Sequence, residues 1–201
     1  TAVALGPDGR VSAAAGDRHY RFVTTGTAVA SYMHDNDANL AAVAYAGATA
    51  NHWSVAGAAD GGVLLYSASE ETATPSARED LQSGTNPQAA VAISNDGRLF
   101  AAGDSAGVVR LYRNLHLTSG TFPTVATTAA LPGPVTSLRF SLDARYLVVG
   151  AGPATVLFLA SDTALTEAWR HTATANVVDV GVNSDGTLVA SAADKAVTMF
   201  T

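Results

Sequence analysis

Along this chain, apolar residues recur at every second position in short runs, as in Ala90-Val91-Ala92-Ile93 and Ser137-Leu138-Arg139-Phe140. Alternation with period two puts successive side chains on opposite faces of an extended backbone, so these runs predict half-buried β-strands. Asp96-Gly97 and Asp185-Gly186 stand between consecutive runs, which predicts tight antiparallel hairpins rather than long crossovers. No stretch sustains the 3.6-residue spacing of an amphipathic helix, and helix is expected to be nearly absent.

The alternation is itself periodic. Apolar alternation, a turn, small residues, a second turn and an apolar run closing on an aromatic recur five times. The clearest copy runs from Val91-Ala92-Ile93-Ser94-Asn95-Asp96-Gly97-Arg98 through Leu99-Phe100-Ala101-Ala102-Gly103 to Val108-Val109-Arg110-Leu111-Tyr112. The closing aromatics Phe22, Tyr66, Tyr112, Phe158 and Phe200 are 44, 46, 46 and 42 residues apart. Five quasi-equal units follow, at residues 1–36, 37–86, 87–131, 132–174 and 175–201 of a single domain spanning 1–201. Each reads as a β-meander. A fourth, outermost strand is expected in residues 27–34, 117–128 and 165–171, whereas 67–83, with Glu70-Glu71 and Pro75, reads as a weak edge strand or a loop.

Antiparallel four-stranded units repeating at this interval have the pattern of propeller blades. The run from Val91 to Arg98, the run Val177-Val178-Asp179-Val180-Gly181-Val182-Asn183-Ser184-Asp185-Gly186 and the Val-rich runs ending in Tyr112 and Phe200 resemble WD40-type β-propellers. The likeness is to the WD40-like or quinoprotein-like repeats of prokaryotic proteins, and it implies an all-β propeller of five blade-like repeats with an incomplete last blade. No Gly-His pair opens a repeat and no Trp-Asp closes one; Tyr112-Arg113, Phe158-Leu159 and Phe200-Thr201 stand there instead. The family's buried His–Ser/Thr–Asp–Trp network is therefore not carried over. The fifth unit ends with its third strand, so the ring is expected either to close imperfectly or to be completed by blades from the same or another chain.

Composition narrows the partners. A formal net charge of −6, with 14% charged residues and no basic cluster, leaves no field to attract phosphate backbones, and nucleic acid is not an expected partner. No apolar run approaches the length of a membrane-spanning helix, so membrane insertion is not expected. The absence of cysteine removes disulfides, thiolate metal sites and a Cys nucleophile. With the neutral Ala/Thr/Gly surface it inclines the localisation toward a secreted or cell-surface setting.

Several strings invite a chemical reading. Gly103-Asp104-Ser105-Ala106-Gly107 matches the nucleophile-elbow pattern, but that device needs a helix after the Ser, and strands flank this string on both sides. Asp35-Asn36-Asp37-Ala38-Asn39 opens like a calcium loop, yet Leu40 and Ala46 stand where Gly and Glu are required. Gly150-Ala151-Gly152 runs into Pro153 and a strand, so it reads as a turn. His19, His34, His52, His116 and His171 never lie at close ligand spacing, though Tyr32-Met33-His34 and Trp169-Arg170-His171 repeat an aromatic-x-His pattern. No carboxylate pair is nominated as acid and base.

The sequence thus predicts no catalytic residue, no metal site and no cofactor. It predicts a non-catalytic scaffold or interaction module that binds a protein partner or self-assembles; the alternative is a quinoprotein-like or lactonase-like enzyme or ligand binder using the axial channel. Any binding face is placed on the loops joining units and on the second turn of each unit, with Arg18, His19, Asp35, Asp37, Asp60, Asp104, Asp194 and Lys195 as candidates.

Overall fold

The computed structural model describes residues 2–5, 11–16, 18–25, 28–35, 39–46, 53–67, 77–82, 85–114, 124–128 and 130–201; of these, 5, 11–15, 18–25, 28–35, 67 and 77–82 are described by their backbone. Every regular element among them is a strand, and the strands pair antiparallel in chain order. The first sheet joins β1 (Ala2–Leu5), β2 (Val11–Ala15), β3 (Arg18–Thr25) and β4 (Ala28–Asp35). The second joins β5 (Leu40–Ala46), β6 (Trp53–Ala58), β7 (Gly62–Ser67) and β8 (Ala77–Gln82). The third joins β9 (Gln88–Ile93), β10 (Leu99–Asp104), β11 (Val109–Arg113) and β12 (Thr124–Thr127). The fourth joins β13 (Val135–Phe140), β14 (Tyr146–Ala151), β15 (Ala154–Ala160) and β16 (Leu165–Thr172). The fifth has three strands, β17 (Val177–Val182), β18 (Val189–Ala193) and β19 (Ala196–Phe200).

Strand β8 lies in the segment left open by the sequence between edge strand and loop. Its letters, Ala-Arg-Glu-Asp-Leu-Gln, are too polar to show a buried face, as befits an outermost strand. The first turns follow the Asp-Gly expectation: Gly97 and Gly186 have φ of +70° and +77°. Ala144 occupies the same place in the fourth sheet at φ +60°, where an L side chain is disfavoured. The Ser or Asn that opens each turn also clamps it. Ser94 Oγ donates to Asp96 (2.6 Å) and accepts from Leu99 N, and Ser141 does the same between Asp143 and Tyr146 N.

Consecutive sheets stack through their innermost strands: β1 and β2 meet β5, β5 and β6 meet β9, β9 and β10 meet β13, and β13 and β14 meet β17. Three apolar layers fill the seams from the second sheet onward. Trp53, Val55, Val63 and Leu65 meet Val91, Phe100, Ala102 and Tyr112. Leu99, Ala101, Val109 and Leu111 meet Val135, Leu138, Leu147 and Val156. Val148 and Leu157 meet Val177, Val180 and Val189.

Each of these seams uses the same local device. The inner strands β5, β9, β13 and β17 each shift register near their start, opposite Gly57, Gly103, Gly150 and Ala192 of their own sheets. The residue before the shift is thrown onto the preceding sheet: a Cβ at Gly57 would lie 2.8 Å from Gln88 Cβ, one at Gly150 2.8 Å from Val177, and one at Gly103 would collide with Val135. The missing side chain is therefore a packing requirement. It lets a fully buried Val135 or Val177 sit on bare backbone, a burial that stabilises by about 1.5–3 kcal/mol for each such side chain.

Candidate functional site: the turn face and the central cavity

Because each sheet is a meander, its second turn and its connection to the next sheet emerge on the same side. Backbone hydrogen bonds tie them together: Leu40 N donates to Gly16 O (2.6 Å), Ser105 N to Pro87 O (3.0 Å) and Val177 N to Gly152 O (2.7 Å). The residues nominated from sequence distribute over this turn face. Arg18 and Asp35 are direct cross-strand partners on β3 and β4, beside the pair His19 and His34. Asp37 lies outside the described residues. Asp60 is exposed and accepts from Gly62 N (2.9 Å), while Asp194 and Lys195 form the exposed turn between β18 and β19. Among Asp60, Asp104, Asp194 and Lys195, whose side chains are described, no hydrogen bond or ion pair links one sheet's candidate to another's.

Asp104 differs from the rest. It is 1% exposed, its Oδ1 accepts from Ala106 N and Val108 N at 2.9 Å each, and its Oδ2 accepts from Arg110 at 3.0 Å. Its carboxylate is fully engaged in closing its own hairpin, so it is a fastening for the turn rather than a contact open to a partner. That closure leaves the Gly103–Gly107 string as the expected strand-to-strand turn.

The innermost strands border a central cavity that sequence reasoning did not populate. Ala4, Ala44, Ala92 and Arg139 occupy matching register positions and line a space of about 360 Å³. One step further along, Leu5, Tyr45, Ile93, Phe140 and Val182 form a second matching row. Tyr45, Ile93, Phe140 and Val182 border a mouth of about 380 Å³ on the side opposite the turn face, rimmed by Asn95, Leu142, Asn183 and Ser184. Leu142 is 62% exposed there.

Charge enters the inner strands at two described residues, Arg139 and Asp179, and they face each other at 3.7 Å. Asp179 also accepts from Ser137 Oγ at 2.5 Å. Both groups are more than half exposed, so the pair is water-screened and worth little as a stabiliser. It neutralises the cavity wall. Only alternation could have flagged it from sequence, since Arg139 and Asp179 each interrupt an otherwise apolar run and lie one unit apart.

Among the described residues, no group of three or more His, Asp or Glu is arranged to hold a metal ion. Elsewhere, Glu167 is paired with Arg170 on β16 (2.7 Å), and its hydrogen bond raises the Arg170 pKa further above its ordinary value. Asp185, fully exposed, has its carboxyl pKa lowered by hydrogen bonds from the Thr187 hydroxyl and backbone. Neither lies in the cavity. No protein-family model matches the chain, and no curated protein is significantly similar to it.

Proposed function

We propose that this chain is a β-propeller-type interaction module, not an enzyme, and that it engages a protein partner through its turn face. The observation that carries the reading is the regular succession of meander sheets, each stacked on the next by its inner strand, with those strands around one cavity. Such an arrangement holds rows of loops on a rigid body, and loops positioned by a rigid scaffold are where binding residues concentrate. An inner-strand lining of Ala, Val, Ile and Phe with one neutralised ion pair supports a non-catalytic role, because it supplies no nucleophile with a base and an orienting group. The WD40-like resemblance agrees with this reading and names no partner.

Ring completion belongs to the same reading. Among the described residues, substantial contact runs only between consecutive sheets, and the far face of the fifth sheet carries exposed Val197 and Met199. An arc that admits further sheet structure accounts for both. The uncharged mouth with Leu142 favours a small neutral ligand as the second reading.

Photo-crosslinking separates the two. A crosslinker at Asp60 or Lys195 is expected to capture one defined partner, with capture abolished by Asp60→Arg and Lys195→Glu. Capture only from Leu142, or turnover of a lactone or sugar substrate by the intact chain, would overturn the turn-face reading.

A further inference from the structure

We propose that the turn-face half of the central cavity binds a free apolar α-amino acid, held head to tail on Arg139 and Asp179, its ammonium on the carboxylate and its carboxylate on the guanidinium. This site goes beyond the turn-face reading. The two stand apart, since capture of a partner at Asp60 or Lys195 does not depend on what the cavity holds.

The argument starts from unspent hydrogen bonds. Elsewhere arginine closes directly onto its acid: Arg110 donates to Asp104 at 3.0 Å, and Arg170 to Glu167 at 2.7 Å. Arg139 and Asp179 stand 3.7 Å apart, beyond hydrogen-bond length. Each is fastened to an inner strand instead. Asp179 Oδ1 accepts from Ser137 Oγ (2.5 Å) and Val180 N (2.9 Å), and one Arg139 amino group donates to Leu138 O (2.9 Å). Among the described residues nothing donates to Asp179 Oδ2, and the second Arg139 amino group and Nε meet no acceptor within hydrogen-bond length. A carboxylate oxygen and a guanidinium edge are thus held in place, more than half exposed and with bonding capacity left over.

The signs of charge then select the ligand. A lone carboxylate brought to Arg139 also meets Asp179, and a lone amine brought to Asp179 also meets Arg139, so each gains one attraction and one repulsion. A molecule carrying both signs a short distance apart, laid antiparallel to the pair, gains two attractions. An α-amino acid has that separation built in. The walls leave it room, because around the pair the cavity encloses about 240 Å³ against Ala2, Ala41, Ala42, Ala89 and Ala90. Strand β9 adds backbone groups. Ser94 N bonds Leu99 O across the hairpin and bonded positions alternate, so Val91 turns its N–H and C=O away from β10 toward the cavity.

The space continues past Val43, Val91 and Leu138 into the 360 Å³ lined by Ala44 and Ala92, and on to Ile93 and Phe140. A side chain directed that way meets methyl and aromatic groups, which selects an apolar amino acid over glycine.

The probe is L-leucine, titrated into isotopically labelled full chain and read by NMR. Saturable amide shifts at Arg139, Asp179 and Val180 are expected, with weaker binding of glycine. Acetate and methylammonium, which carry one charge each, should give none at the same concentration. Arg139→Gln and Asp179→Asn should each weaken leucine binding about tenfold or more, as each removes one charged hydrogen-bond partner. Should Asp179→Asn unfold by circular dichroism, Arg139→Gln carries the test, because it spares the Ser137 bond to Asp179. Absence of saturable shifts, shifts centred away from the pair, equal shifts with acetate, or binding undiminished in folded Arg139→Gln overturns the proposal. Glycine binding as tightly as leucine overturns the apolar assignment.

Discussion

The forward face of the third sheet and that of the fifth present the same positions to opposite environments. Leu111 and Met199 stand at one register, as do Gly103 and Ala192. Leu111 is fully buried against the fourth sheet and Gly103 receives Val135; Met199 is 60% exposed, and Ala192 carries the methyl group that a closed seam leaves no room for. At Gly103 the missing side chain answers to the neighbouring sheet, whose Val135 occupies the space that a Cβ would need.

Truncation should expose this difference most strongly. Leu111→Ala is expected to cost about 2–5 kcal/mol through lost burial and a residual cavity. Met199→Ala, at the same register, should stay within about 0.5 kcal/mol. Denaturant midpoints of the two variants check the pair, and equal losses would erase the distinction between covered and open faces.

Enlargement runs the test in the other direction. Gly103→Leu should destabilise by about 1–3 kcal/mol or more, because Val135 occupies the space the new side chain needs. Ala192→Leu should be close to neutral, as read by thermal melting. A Gly103→Leu variant of native stability would remove the seam account.

How much of this was legible in the letters depends on whether the signal is local. The hairpins at Gly97 and Gly186 follow from Asp-Gly because positive φ is a property of the turn itself. The repeat was visible for the same reason, each unit carrying its own alternation and closing aromatic. The register shifts opposite Gly103 and Gly150 were not, because a bulge records a demand from the adjacent sheet. Nor was the Arg139–Asp179 contact, which needs two inner strands set side by side. Asp104 was legible as a turn residue but not as a buried one; its depth comes from Arg110 on the return strand.

A smaller effect compares the second turns of the fourth and fifth sheets. Gly152 and Asp194 both have φ +52°, at no steric cost for the glycine and at some for the aspartate. Asp194→Gly should raise stability by about 0.5 kcal/mol in a thermal melt, a gain partly offset by greater freedom of the unfolded chain. A drop in melting temperature would mean that the Asp194 side chain makes a contact outweighing the strain.

The smallest effect is one of pH. The folded-state pKa of Asp185 is lowered by Thr187, so the group stabilises the fold above the ordinary Asp range and loses that contribution as pH falls through its folded value. Asp185→Asn should therefore flatten the acid limb of the melting-temperature profile slightly and leave its neutral plateau nearly unchanged. An unaltered acid limb would assign the loss to other carboxylates.

Stacking by neighbours alone also shapes how the molecule comes apart. When each layer is coupled only to the one before and the one after, stability behaves as a chain of links rather than a single block. The third and fourth sheets hold two links each, whereas the fifth, among the described residues, is joined to the fourth alone. Opening should start there as a partial unfolding event, releasing β17–β19 while Leu111, Leu138 and Leu147 remain sealed. Amide protection would then descend in steps from the third and fourth sheets to the fifth, and a protease would first nick the Asp194-Lys195 turn or the connection that precedes β17.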